Sequence, residues 1–273
     1  MGLEGISVNA RPCRRGKQGT ASRYGQAQSP HVIVACALLL GMPSAFCQTA
    51  PGTPRVVLAP FAATSGTTLH PSWALSGLPD NKAPRSVFET TTLNGDAVLA
   101  LRTQASYGVL THAWQGAAPE SLSWRWRLEQ PLGQADIKTK AGDDAALKVC
   151  VMLDQPLADI PFLQRSALAL ARSVSGQNLP SATLCYLWDS RYPAGTRGPN
   201  PYSARVRYIV LNGSESATGQ WVSQRRRIAD DFALLFGQES PALPPVSAIA
   251  LGADSDNTQG SSLGYVAQLR WLP

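Results

Sequence analysis

The stretch Leu122-Ser123-Trp124-Arg125-Trp126-Arg127-Leu128 decides how the chain folds. Leu122, Trp124, Trp126 and Leu128 alternate with Ser123, Arg125 and Arg127. Successive side chains of a β-strand point to opposite faces, so this segment predicts a strand with one apolar and one polar face. Such a strand lies on a core and turns its arginines to water. The two tryptophans could instead form a platform for the apolar patch of a sugar ring. Their sharing a face with two leucines assigns them to the core, because large aromatics dominate the interior of a sandwich. Arg125 and Arg127, with Arg225 and Arg227 further on, then read as a solvated outer face. An anion or acidic glycan is the alternative use.

Outward from this segment the same pattern recurs. Residues 97–103 are short and apolar and follow the turn signal Asn94-Gly95-Asp96, with Tyr107 to His112 as a candidate return strand. Residues 146–153, 182–188, 204–211 and 221–228 are further strands, and 246–251 and 266–272 close the chain. Helices are few. Leu157 to Ser175 has Pro161 near its first turn and Gly176 just past its end. Asp230 to Gly237 has acids at its start and a glycine at its end. Many strands separated by turns, with one or two short helices, predict an all-β antiparallel sandwich. No internal repeat and no domain boundary after residue 56 is visible, so residues 56–273 read as a single domain.

The N-terminus reads differently. Val32 to Met42 is an uncharged apolar run, too short for a bilayer span of roughly 20 residues. Arg11, Arg14, Arg15, Lys17 and Arg23 precede it, and Pro43-Ser44-Ala45 follow. A basic region, an apolar stretch and small residues in that order predict an export signal over residues 1–47, cleaved after Cys47. A lipid anchor on Cys47 fits less well, because Phe46 stands where a small residue is wanted. Residues 48–55 read as a linker. The expected location is periplasmic or secreted.

The chain carries 24 Lys and Arg against 18 Asp and Glu, a net charge of +6. Five of the former and one of the latter precede position 48, so the remainder carries 19 against 17, or +2. The basic excess belongs mostly to the leader and gives no ground for nucleic-acid binding. Of the five cysteines, Cys150 and Cys185 lie beyond the leader, both in strand-like runs. A cross-strand bridge in an oxidising compartment and two buried free thiols are both open. No zinc-ligand spacing is present.

Ser123 to Leu128, Ala135-Asp136 and Lys140-Ala141-Gly142-Asp143-Asp144-Ala145-Ala146 resemble a bacterial family, domain of unknown function 3047. So do Leu184 to Trp188, Asp230-Asp231-Phe232 with Phe236-Gly237, and Asp254-Ser255-Asp256-Asn257-Thr258. Gly-Asp-Asp and Asp-x-Asp-Asn-Thr are the specific parts, and the resemblance covers roughly residues 56–272. It implies an exported, jelly-roll-like sandwich, similar in outline to carbohydrate-binding modules, and names no reaction. Similar sequences carry an acid in the last strand where this chain has Ala267-Gln268-Leu269, which puts a site needing that acid in doubt.

The candidate binding residues are Asp143, Asp144, Asp254, Asp256 and Asn257. Carboxylates and an amide are hard oxygen ligands suited to calcium, and Asp254 and Asp256 are the candidate calcium ligands. The same residue types shape turns by bonding their own backbone, and that structural use ranks first. Carboxylates gathered without basic neighbours should repel one another and rise in pKa. Paired acids such as Asp144 and Asp256 would suit a glycan-acting hydrolase if they approached each other. The Gly-x-Ser-x-Gly, His-Glu-x-x-His and phosphate-loop motifs are missing, and no catalytic residue is assigned. The leading expectation is a non-catalytic binding or envelope-associated module for a carbohydrate or envelope component, without nucleic acid and with no membrane span in the mature chain. The hydrolase is the alternative.

Overall fold

A computed structural model describes residues 57–63, 68–114 and 118–273. The leader and linker predicted over residues 1–55, Cys47 included, lie outside the described residues.

In chain order the strands are β1 (Trp73–Ser76), β2 (Val87–Leu93), β3 (Asp96–Gln104), β4 (Tyr107–Ala113), β5 (Ser121–Gln130) and β6 (Ala145–Leu153). Then come α1 (Phe162–Ser175), β7 (Ala182–Trp188), β8 (Arg197–Pro199), β9 (Val206–Asn212), β10 (Val222–Arg227), α2 (Ile228–Phe236), β11 (Val246–Asp254) and β12 (Ser261–Leu272). They form a seven-stranded sheet, β1-β4-β11-β6-β7-β9-β8, and a five-stranded sheet, β10-β5-β12-β3-β2. The fold is an all-β sandwich, as the strand pattern predicts. One pair departs from it: β7 and β9 run parallel, because the short β8 intervenes and returns the chain in the same direction.

The segment that opened the reading is β5, and its predicted core face is the core. Leu122, Trp124, Trp126 and Leu128 are at most 1% exposed. Trp124 packs on Tyr186 and Trp126 on Trp188, at centroid separations of 5.2 and 5.7 Å, joining the two sheets. The Trp126 indole N–H donates to Asn212 Oδ1 at 2.8 Å. The sugar-platform use of these tryptophans is thereby excluded. On the opposite face Arg125 lies over the Trp221 ring and near Asp96, Arg127 pairs with Glu129, and Arg227 pairs with Glu120 and Asp230. This is a charged outer surface compensated by acids of its own.

Two local expectations need correction. Tyr107–His112 is not the return strand of residues 97–103. Asn94 and Gly95, both at positive φ, form the two-residue hairpin between β2 and β3. With β2 on one edge and β12 on the other, β3 has no free edge, and β4 crosses to the other sheet after Ala105, itself at φ 44°. The first helix begins at Phe162 rather than Leu157. Ile160, which precedes Pro161, is held extended (φ −87°, ψ 131°), as the ring of a following proline requires. The stop is as expected, with Gly176 left-handed and its N–H on the Arg172 carbonyl. The second helix starts two residues earlier than expected, at Ile228.

Cys150 and Cys185 are directly opposite each other in the β6–β7 register and are joined by a disulfide, with Cα atoms 4.1 Å apart. They lie in a small apolar cluster with Ile137, Tyr208, Val210 and Ala250.

Candidate functional site

β6 and β11 are antiparallel neighbours, with Asp254 paired to Ala145. That register carries the end of one acidic segment to the start of the other. Asp143 and Asp144 precede β6, and Asp256 and Asn257 follow β11, so all five predicted residues converge on one corner. Carboxylate oxygens of Asp144, Asp254 and Asp256 lie within 4.8 Å of one another. The two acidic segments are therefore one site and not two separate turns.

The hydrogen bonds run between the loops. Asp144 is 1% exposed and accepts the backbone N–H groups of Asn257 (3.2 Å) and Thr258 (2.7 Å) and the Thr258 hydroxyl (2.6 Å). The Asn257 side-chain amide donates to the Asp143 carbonyl at 3.1 Å. Asp254 Oδ1 accepts from Ala145 N at 2.7 Å. These partners are more than 100 residues apart in the chain, so the carboxylates bind the two loops together where turn chemistry would have bonded each to its own backbone.

The expectation of a corner without basic neighbours is wrong. Lys148, on the strand face opposite the core, reaches Asp254 Oδ2 at 2.5 Å. Burial acts to lower the Lys148 pKa, and the Asp254 carboxylate overcomes it and holds the ammonium above its ordinary range. Asp254 is pushed up to about 6, its desolvation outweighing the ammonium beside it. Burial also raises Asp143 and Asp256, and the Asp144 carboxylate adds to both. Asp256 Oδ1 is buried and accepts no hydrogen bond. For a cation, then, the donor set is uneven. Asp256 offers a vacant oxygen, whereas Asp144 and Asp254 are engaged and Lys148 already brings a positive charge.

Several residues of the corner escaped the sequence reading. Asn200, on the loop between β8 and β9, donates to Asp143 Oδ2 at 2.6 Å. Tyr202, 58% exposed, sets its hydroxyl between the Lys140 carbonyl (3.0 Å) and Asn257 Oδ1 (3.2 Å). The Tyr107 ring lies 5.7 Å from Lys148 Nζ. The one available signal was Asn200-Pro201-Tyr202-Ser203, a turn with an aromatic residue in it. Behind the corner, Gly142 is required. A Cβ there would lie 2.8 Å from the Asp136 nitrogen, which donates to the Gly142 carbonyl at 2.7 Å.

Residues 71–270 match the profile of a family described as "Protein of unknown function (DUF3047)". The chain belongs to that family. Ala267 to Leu269, where the resemblance led us to expect an acid, lie at an irregularity of β12, six or more residues beyond Ser261. At about 3.3 Å per residue these residues are about 20 Å along the strand from its Ser261 end, which adjoins the acidic corner.

No match to a curated protein was found. Among solved structures, the DUF3047 domain is similar to the xyloglucanase domain of NopAA from Sinorhizobium fredii (11% identity, 76% of this chain and 96% of that one, TM-score 0.36). It is similar to the family 11 xylanase from Neocallimastix patriciarum (12%, 75% and 93%, 0.37). It is also similar to the enzymatically active domain of tailspike protein 4 of bacteriophage CBA120 (10%, 74% of this chain, 0.33), of which it spans 19%. At these identities and TM-scores nothing said of those proteins passes to this chain. Among the described residues, no helix is long and apolar enough to cross a membrane.

Proposed function

We propose that this protein is a non-catalytic carbohydrate-binding module whose ligand meets the acidic corner, and that it works outside the cytoplasm, in the periplasm or secreted. The observation that carries this reading is Tyr202. An exposed aromatic ring, fixed through its hydroxyl and with the Lys140 ammonium 5.4 Å from its centroid on one side, stands beside the Asp143–Asn200 pair and the Asn257 amide. An apolar ring face flanked by a few oriented polar groups is the composition of a small-molecule site. It suits a sugar, whose C–H patches stack on the ring and whose hydroxyls reach the carboxylate and amides. The Cys150–Cys185 bond supports an oxidising location.

The hydrolase alternative has one point in its favour, the raised Asp256 carboxyl. Against it, Asp144 is buried and committed to holding the loops, so the pair lacks a free partner for proton transfer. Calcium is likewise not required by this reading, because Lys148 neutralises Asp254 and Asp144 is held by backbone N–H groups and a hydroxyl. The test is titration calorimetry against neutral and acidic oligosaccharides, with reducing-end release followed in parallel. The expected result is saturable binding without release, weakened at least about tenfold by Tyr202→Ala, which is about 1.4 kcal/mol. Release of reducing ends, abolished by Asp256→Asn, would establish the hydrolase instead.

A further inference from the structure

The helix α1 turns its apolar stripe the wrong way. Leu163, Ala167, Leu170 and Val174 recur at the spacing of one helix face, the arrangement that ordinarily packs on a core. Here Leu163 is 80% exposed, Leu170 66% and Val174 79%, and Phe162 beside them is 68% exposed. The core is met by Leu168 from another side of the helix. The charged residues of α1 are Arg165 and Arg172. Both are half-buried at its protein-facing margin, Arg172 donating to the Leu179 carbonyl and Arg165 lying near the Phe162 ring. The outward arc is completed by Ser166, Ala171 and Ser173 and bears no charge.

Four large side chains at these exposures leave about 500 Å² of contiguous apolar surface, at the upper end of what a soluble monomer shows. We infer that α1 is the contact face of a homodimer, in which two copies pack their α1 helices antiparallel about a two-fold axis. Two features select a second copy as the occupant. A two-fold contact sets a patch against its own copy, so a patch with charge of one sign would repel itself; this arc carries none. And two such patches bury about 1,000 Å², which reaches the lower bound of a specific interface, with Leu157 (46% exposed) adjoining at the helix start. Ala167 and Ala171 leave room for the helix axes to approach to about 8 Å. α1 follows the Leu153 end of β6, whereas the acidic corner precedes its Ala145 end, so dimerisation leaves that corner open; the inference does not rest on the carbohydrate reading.

The experiment is sedimentation velocity of the protein recovered after expression of the full chain, beside the double variant Leu163→Glu/Leu170→Glu, over about 1–100 μM, a range that covers micromolar dissociation constants. The expected result is a concentration-dependent dimer for the wild type and a monomer for the variant. The melting temperature of the monomeric variant should be that of wild-type monomer, because exposed substitutions perturb the fold little. A wild type monomeric throughout, or a variant that still dimerises, overturns the inference. Flotation of monomeric wild type with anionic liposomes, lost in the double variant, also overturns it and assigns the face to a lipid surface.

Discussion

The aromatic layer between the sheets and the two inner carboxylates of the acidic corner, Asp144 and Asp254, are both buried, yet they are held by different means. In the layer, Trp124, Trp126, Tyr186 and Trp188 lose water-exposed area and interlock, with polar bonds only at its margin, from one indole N–H to Asn212 and from the Tyr186 hydroxyl to Asp231. In the corner, Asp144 and Asp254 give up hydration and regain it from backbone N–H groups, a hydroxyl and one ammonium. Apolar burial needs volume and no specific partner, so it depends on shape. Carboxylate burial needs each partner present, so it depends on register and on pH.

The largest effect should come from the layer. Trp126→Ala removes a fully buried ring and one of the two donors to Asn212 Oδ1, Gln224 keeping the other, for a cost of about 4 kcal/mol in denaturant unfolding. That cost should be the same at pH 5 and pH 7; a strong pH dependence would break the distinction drawn between the two regions. Next is the disulfide, which closes a loop over a sequence separation of 35. Replacing both Cys150 and Cys185 by Ala should cost about 3 kcal/mol, seen as a lower midpoint that reductant no longer shifts.

The corner should answer with a comparable effect of different character. Lys148→Met leaves Asp254 buried without its counter-ion, a loss of about 3 kcal/mol at pH 7. Asp254 already stands at about 6 in the folded protein against an ordinary 3.8, so the folded state binds more protons between those values. Stability contributed by this group therefore rises as pH falls through that window. Without the ammonium the carboxyl rises further, so the penalty of Lys148→Met should shrink at pH 5. A penalty unchanged between the two pH values would mean that Lys148 acts by packing alone.

Two smaller effects sharpen the picture. Tyr202→Ala should alter the melting temperature little, an exposed substitution costing within about 0.5 kcal/mol, while weakening sugar binding. A large drop in stability would make the ring a structural brace. Millimolar calcium against chelator should leave the melting temperature unmoved, whereas a site saturated at 100 times its dissociation constant would add about 2.7 kcal/mol. An upward shift would show that Asp256 Oδ1 recruits a cation despite Lys148.

The two regions were unequally legible. Leu122, Trp124, Trp126 and Leu128 announced the core because a strand encodes its buried face in its own alternation. Asn94-Gly95 announced a hairpin, yet not which strand lay on its far side, since that depends on which edges of β3 were already taken. Asp143, Asp144, Asp254, Asp256 and Asn257 stood out by composition, but their convergence did not. Lys148 was visible as the polar position of its strand, with nothing to mark Asp254 as its partner. Tyr202 and Asn200 carried only turn character.

By itself, then, the sequence determined the strand faces, the helix stop at Gly176, the family and the β-sandwich class, because each follows from interactions between near neighbours along the chain. The tertiary structure decided that β4 crosses to the other sheet, that β7 and β9 run parallel, that the acidic loops meet around Lys148, and that α1 faces its apolar stripe outward. Each of these depends on which strands lie side by side and in what register. That is set by the closure of the whole core, so no local pattern contains it.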